Sequence, residues 1–201
     1  TLAATTLTDL PSGVAVKFST GVTGSSLIVD MKDKANTDNV LNLELTAIIT
    51  DSNIDIEDVE TLNLDVEVAS PLTDLAGLAM TTVGATSVLN ITGDSALTIS
   101  ALHADVTTID ASAMTTGGTV TMTARSTTSA ATYTGTDGAD TFIMMHKNDV
   151  LSGGAASDTL DINYAAILGG LSIDLSSATD VVQSFNGSAN AVAQSGFLNV
   201  D

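Results

Sequence analysis

Three aspartates at a fixed spacing are the residues of this sequence best suited to chemistry. Asp140, Asp149 and Asp158 lie nine residues apart, and a large apolar residue follows each of them two positions later. Residues 135–143 match the nonapeptide G-G-x-G-x-D-x-U-x, in which U is apolar, at every fixed position except the second. Glycines permit tight turns that bring backbone carbonyls and a carboxylate together. Because Ca²⁺ prefers such oxygen ligands, the pattern predicts a calcium-binding turn.

The period of nine also predicts which turns meet. In a two-sided roll, alternate nonapeptides stack on the same side, so residues 135–140 should lie on residues 153–158. The expected ligands come from the carboxylates and carbonyls of these two turns. They are Gly135, Thr136, Asp137, Gly138, Asp140, Gly153, Gly154, Ala155 and Asp158. The alternative is that these turns only connect strands and keep their carboxylates solvated.

The middle nonapeptide, residues 144–152, lacks the glycines. Its turn should fall on the opposite side of the roll, where the neighbouring nonapeptides hold no aspartate in the same position. We therefore expect one calcium site rather than a ladder of sites.

Other clusters of polar residues are weaker candidates. Residues 51–57 open like an EF-hand loop, but Ile56 stands where glycine is required and Leu62 where glutamate is required. A polar face at the start of a strand is the expectation there. Asp30, Asp33 and Asp38 form a loop cluster that is more typical of a solvated surface.

Catalytic groupings are weaker still. The chain has two histidines, His103 and His146, and no cysteine. His103 lies between two strand patterns, where a solvated or hydrogen-bonded loop histidine is expected. The many serines make any Ser-His-Asp combination uninformative. We expect no catalytic residues and no enzymatic activity.

Short β-strands must position these turns. Val59–Val68 alternates, with Leu62, Leu64, Val66 and Val68 facing one way, and Val40–Leu45 repeats the pattern. Threonine-rich strands follow at 88–92, 97–100, 106–110 and 119–123, with turn residues between them. Leu75–Met80 and residues 163–168 are each expected to hold a short helical turn, if any.

The predicted fold is therefore all-β, a parallel β-solenoid or β-roll of short strands. Residues 1–130 form a strand-repeat region, for which the spacing allows a solenoid or a sandwich, and we favour the solenoid. Residues 131–162 form the calcium β-roll, and residues 163–201 continue the strand repeats.

Charge excludes some classes of partner. The 24 acidic residues outnumber five basic ones and give a net charge of −19. Nucleic acid and anionic membranes need a positive patch, so neither is an expected partner. The longest apolar runs are too short to cross a bilayer. Bound Ca²⁺ would relieve the repulsion among the carboxylates.

The nonapeptides resemble those of RTX proteins, and other stretches are similar to the surface-layer branch of that group in Gram-negative bacteria. These stretches are Asp38–Leu43 with Val59–Leu64, Val106–Ser112 with Gly117–Thr121, and Gly170–Ser176. The resemblance implies type I secretion, calcium-stabilised folding outside the cell, and self-assembly into a lattice on the bacterial cell surface. Other parts of the chain would then anchor the lattice to a surface glycan.

Two further functions stay open. A calcium-dependent RTX adhesin would carry the same repeats, but it should bind glycans and stay monomeric, whereas a lattice protein should self-associate in Ca²⁺. A β-helical enzyme acting on polysaccharides is a distant third. Such an enzyme needs basic residues or aromatic sugar platforms, and this chain has a single arginine, Arg125, and six aromatic residues.

Overall fold

The computed structural model covers the whole chain and describes most of it. The described residues are 5–20, 22–24, 26–47, 49–50, 52–67, 73–81, 87–115, 117–125, 130–162, 169–177, 179–190 and 192–201.

Two large parallel sheets make up the body of the protein. The nine-stranded sheet consists of β1 Thr5–Leu10, β4 Ser26–Met31, β7 Ser52–Glu57, β9 Thr73–Thr81, β11 Ala96–Ile99, β13 Thr119–Met122, β15 Thr141–Met144, β17 Asp158–Ile162 and β22 Phe197–Val200. The eight-stranded sheet consists of β2 Val14–Phe18, β5 Val40–Leu45, β8 Thr61–Val66, β10 Ser87–Gly93, β12 Val106–Asp110, β14 Thr132–Thr134, β16 Val150–Ser152 and β21 Gln194–Ser195.

Successive strands alternate between the two sheets, and each strand pairs in parallel with the strand one coil earlier. This arrangement is a β-solenoid. Two short strands, β3 Val22–Thr23 and β6 Ile49–Thr50, form a small additional ladder in the first coils. The prediction of an all-β solenoid is confirmed, and the solenoid extends through the N-terminal region, where a sandwich was the alternative.

The core lies between the two sheets and is built from ladders of identical or similar side chains. The period of two in each strand turns every second residue inward, and parallel register places these residues on top of one another. One ladder of the eight-stranded sheet runs through Leu41, Leu62, Leu89, Ile109, Tyr133 and Leu151, all of them buried. The outer positions of the same strands are polar or half-exposed, as the alternating pattern predicts.

The C-terminal region departs from the simple repeat. Between β17 and β21 the chain forms a three-stranded antiparallel sheet of β18 Ser172–Ile173, β19 Val182–Phe185 and β20 Ser188–Ala189. Val181 N–H donates to the Gln194 carbonyl at 2.9 Å, which joins this sheet to β21. The predicted region boundaries near residues 130 and 162 do not interrupt the large sheets. The eight-stranded sheet continues across the first through the β12–β14 pair, and the nine-stranded sheet continues across the second through the β17–β22 pair.

The predicted helical turn at Leu75–Met80 is wrong, because these residues belong to β9. The small residues of this segment obscured its alternation in the sequence. In the structure, β9 pairs with β7 on one side and β11 on the other, and these ladders hold it as a strand. Residues 163–168, the second predicted turn, lie outside the described residues, as does Val68. No helix long and apolar enough to cross a membrane is found in the part of the chain that the structure describes.

Candidate metal centre

The two glycine-rich turns are stacked one coil apart, as their spacing predicts. Thr141 and Phe142 of β15 pair with Thr159 and Leu160 of β17, which is a register of 18 residues. Gly135 N–H donates to the Ser152 carbonyl at 2.8 Å, and Thr159 N–H donates to the Asp140 carbonyl at 2.8 Å. The turn 135–140 therefore lies directly on the turn 153–158.

Asp140 closes the first of these turns. Its carboxylate is buried, and Oδ1 accepts a hydrogen bond from Val120 N–H of the preceding coil at 2.6 Å. Oδ2 accepts from Thr136 N–H at 2.6 Å and from the Thr136 hydroxyl at 3.0 Å. The side chain thus holds its own turn together and ties it to the coil before.

Asp158 occupies the same position one coil later but is only half satisfied. Its Oδ1 accepts from Asp140 N–H at 2.8 Å. Its Oδ2 is buried and has no hydrogen-bond partner among the described residues. An unpaired buried carboxylate oxygen is costly, so this atom needs a cation, a water molecule or a proton.

The pKa values of the Asp140 and Asp158 carboxyls are both raised, as expected for buried carboxylates without a neighbouring cation. Burial raises the pKa of the Asp140 carboxyl, and the hydrogen bonds from Val120 and Thr136 offset only part of that effect. Burial also raises the pKa of the Asp158 carboxyl, and the neighbouring Asp140 charge raises it further. Both shifts mean that the negative charge is poorly compensated by the protein itself.

Glycines leave room for oxygens to converge between the turns. A Cβ on Gly135 would lie 2.2 Å from the Gly153 carbonyl oxygen and 2.5 Å from Asp140 Oδ2, so both oxygens lie closer to the chain than any residue but glycine allows. Gly154 has φ +114°, and a Cβ there would lie 1.8 Å from the Thr136 carbonyl oxygen. Carboxylate and carbonyl oxygens packed this closely against the turn glycines are ligands of the type that a hard cation such as Ca²⁺ prefers.

The remaining predicted ligands differ in their burial and in their hydrogen-bond partners. The Thr136 side chain is buried, and its Oγ1 accepts from Gly138 N–H at 2.8 Å and lies 3.0 Å from the Gly118 carbonyl oxygen. Asp137 and Ala155 are exposed at the tips of their turns. The structure therefore brings Asp140, Asp158 and the glycine backbone together and leaves the Asp137 carboxylate in solvent.

The third aspartate of the series has a partner that the spacing did not indicate. Asp149 Oδ1 accepts from Arg125 Nη2 at 3.1 Å, and both side chains are fully buried. The spacing predicted only that no second aspartate turn stacks on the Met144–Asp149 turn. Alternation did not indicate this pair, because Val120 and Met122 face inward and an unbroken period of two would turn Arg125 outward; the inward face changes phase after β13.

A second acidic cluster lies at the other end of the molecule. Asp30 of β4 and Glu57 of β7 are paired in register, and with Asp58 their carboxylate oxygens lie within 4.8 Å of one another. Lys34 Nζ lies 2.7 Å from Asp30 Oδ1, and this hydrogen bond raises the pKa of Lys34. The protein thus supplies a cation here. The sequence suggested a cluster of Asp30 with Asp33 and Asp38, which are close in the chain. The pairing of Asp30 with Glu57 depends on the register of β4 and β7, which the sequence does not reveal.

Both histidines cap turns. Asp105 N–H donates to His103 Nδ1 at 3.3 Å, and Asn148 N–H donates to His146 Nδ1 at 3.1 Å. Each ring nitrogen accepts a hydrogen bond from the backbone two residues further on. This agrees with the expectation of a hydrogen-bonded loop histidine at position 103.

An open groove of about 410 Å³ crosses the outer face of the nine-stranded sheet. Its floor includes Ile28 and Ala79, and its polar walls carry Asn53, Asp55 and His103. Ala79 of β9, a small side chain, lies in register with Asp55 of β7 and lines the groove.

No protein-family model matches the chain. None of the curated proteins or solved structures compared with it is significantly similar to it.

Proposed function

We propose that this protein is a structural component of an extracellular bacterial surface layer whose folding and self-assembly depend on Ca²⁺. The observation that carries the calcium part is the buried Oδ2 of Asp158, which has no hydrogen-bond partner among the described residues and lies in a turn stacked on that of Asp140. The ion would be held by the two carboxylates with the carbonyls of Thr136 and Gly153. When bound, it would neutralise charge that burial now leaves uncompensated.

The surface-layer part of the proposal rests on two supports. The first is the resemblance of the nonapeptides and of the strand motifs to surface-layer RTX proteins. The second is the net charge of −19, which opposes association of copies unless cations lie between them. Millimolar Ca²⁺ outside cells would make both folding and assembly conditional on export.

The test is a calcium titration of the purified chain, with circular dichroism and light scattering recorded together. We expect Ca²⁺ to sharpen the β signal first and scattering to rise afterwards. Asp158→Asn should weaken calcium binding by roughly 100-fold, because it removes the unpaired carboxylate oxygen. Asp38→Asn makes the same change in net charge on an exposed loop and should leave the calcium dependence unchanged.

Each alternative result has its own meaning. If neither signal responds to Ca²⁺, the glycine-rich turns are only connections and the proposal fails. If Ca²⁺ folds the chain and scattering stays flat, the lattice role fails and the calcium site stands. If both variants titrate like the unmodified chain, calcium acts elsewhere than at Asp158.

The groove on the nine-stranded sheet favours one second candidate, a calcium-dependent adhesin. Its polar walls of Asn53, Asp55 and His103 over an aliphatic floor offer donors and acceptors for sugar hydroxyls. The described aromatic residues are buried or half-buried, so they provide no exposed sugar platform. Chemical-shift changes with a monosaccharide panel, lost in Asp55→Asn, would favour the adhesin.

A further inference from the structure

Arg125 places a positive charge in the interior of the solenoid. It forms a parallel bridge with Leu102, which in turn bridges Leu78, so it continues an inward row of apolar residues on the nine-stranded sheet. Its guanidinium donates to Asp149 Oδ1 at 3.1 Å, and neither side chain is exposed to solvent. The only arginine of the chain therefore forms a fully buried ion pair.

Asp149 has the same backbone role as Asp140 on the opposite side of the roll. Its Oδ1 accepts from Ala131 N–H of the preceding coil at 2.8 Å, as Asp140 Oδ1 accepts from Val120. Its Oδ2 accepts from Met145 N–H, four residues earlier, at 2.9 Å, as Asp140 Oδ2 accepts from Thr136. The two aspartates thus close equivalent turns, but only Asp149 has a cation from the chain beside it.

Tyr133 completes the surroundings of the guanidinium. Arg125 Nη1 lies 3.4 Å from the Tyr133 hydroxyl, and the guanidinium carbon lies 5.7 Å from the centre of the ring. Burial raises the pKa of the Tyr133 hydroxyl, so it stays neutral and adds no competing charge. A planar cation between an aromatic ring and a carboxylate is held by both charge and shape.

We propose that the Asp149 corner is a cation site that the chain fills with its own guanidinium, and that shortening Arg125 opens this site to a guanidinium-type cation from solution. The inference depends on Arg125, Asp149 and Tyr133 alone and holds whether or not Asp158 binds calcium. It implies that the two sides of the roll differ in whether the charge of their turn aspartates requires an added cation. The Asp149 side closes without an added ion.

Chemical rescue of Arg125→Ala tests the proposal. This variant leaves a buried carboxylate without its cation, so its thermal midpoint should fall by about 10 °C. Methylguanidinium should raise that midpoint with the logarithm of its concentration, since it binds only the folded chain, and should leave the unmodified protein unchanged. Urea, which is planar but neutral, should give no rescue at equal low-millimolar concentration.

The double variant Arg125→Ala/Asp149→Asn is the matched control, because asparagine has nearly the same size as aspartate and keeps an acceptor oxygen for the turn but carries no charge. Rescue of the single variant and not of the double one supports the proposal. Equal rescue of both, or rescue of neither, overturns it.

A further comparison covers the case in which Arg125→Ala does not fold. The yield of refolding with and without methylguanidinium then replaces the thermal midpoint, with the same expected and contradicting outcomes. Arg125→Met/Asp149→Asn, which replaces the ion pair by neutral side chains and keeps an acceptor oxygen for the turn, should refold without any cation. If it requires methylguanidinium, the cation does not act at Asp149 and the assignment is wrong.

Discussion

The main-chain N–H of Asp140 donates to Oδ1 of Asp158 at 2.8 Å, and this bond joins two turns that are 18 residues apart in the chain. One aspartate thereby uses its backbone to position the carboxylate of the next. The other oxygen of Asp158 stays buried without a partner among the described residues. We expect this pair to set the response of the protein to protons, to calcium and to substitutions of the turn glycines.

Acidification should stabilise the calcium-free protein. The pKa values of Asp140 and Asp158 are raised in the folded state, so their contribution to stability is present below the ordinary carboxyl pKa and is lost as pH rises through the folded-state values. In a chelator, the free energy of unfolding should therefore increase as pH falls from 7 toward about 4. The β signal of circular dichroism, recorded in the chelator at a series of pH values, measures it, because protons should restore part of the folding that Ca²⁺ otherwise supports.

The same experiment has two controls. Excess Ca²⁺ should flatten the pH profile, because the ion replaces the proton at these carboxylates. Asp158→Asn should also have a shallower profile in chelator, since one titrating group is gone. A variant profile parallel to that of the unmodified protein would show that the pH dependence arises elsewhere.

Gly154→Ala should be far more harmful than Gly13→Ala. Both glycines have positive φ, +114° and +81°, so alanine is strained at either position. At Gly154 the new Cβ would also clash, 1.8 Å from the Thr136 carbonyl oxygen, whereas at Gly13 no atom of the described residues lies within 4 Å. We expect Gly13→Ala to cost about 1 kcal/mol and Gly154→Ala to abolish calcium-dependent folding, as measured by circular dichroism. Equal losses would mean that only backbone strain matters.

Leu64→Ala should cost about 2–5 kcal/mol of unfolding free energy, because it opens a cavity in the inward ladder between Leu43 and Ile91. Leu198 is 60 % exposed on β22 and serves as the comparison. Leu198→Ala should change stability by at most about 0.5 kcal/mol. Chemical denaturation of both variants checks the difference. Similar values for the two would contradict the placement of the core.

Asn63→Ala should break a ladder of amides on the outer face of the eight-stranded sheet. Asn63 Nδ2 donates to Asn42 Oδ1 at 2.8 Å, and Asn90 Nδ2 donates to Asn63 Oδ1 at 2.9 Å. Losing both bonds on a half-buried surface should cost about 1 kcal/mol. Asn53→Ala, at an exposed position on β7, should be close to neutral. A double-mutant cycle with Asn90→Ala that shows no coupling would exclude the ladder as a stabilising feature.

The sequence was informative wherever local periodicity carries the structure. The alternation of Leu41, Leu43 and Leu45 predicted strand β5 with its bounds and its buried face. The nine-residue period of Asp140 and Asp158 predicted that their turns stack. Both predictions depend on distances along the chain, and in a regular solenoid the spacing along the chain determines the neighbour in space.

The sequence was misleading where a partner comes from an irregular distance. Arg125 and Asp149 are 24 residues apart, which matches no repeat, and the Asp30–Glu57 pair depends on the length of the intervening coil. Leu75–Met80 looked helical because small residues blurred the alternation, and the strands on either side made it part of β9.

Amino-acid sequence by itself thus determined the all-β class, the inward ladders and the stacking of the two glycine-rich turns, because each follows from a period of two or nine residues. Only the tertiary structure decided which carboxylates are compensated. Asp149 has a buried guanidinium and Asp30 has Lys34, while Asp158 has an oxygen with no partner among the described residues. The reason is that the partner of each carboxylate comes from a neighbouring coil or turn. Because the coils differ in length, the separation of two residues along the chain does not tell which of them lie side by side in the folded protein.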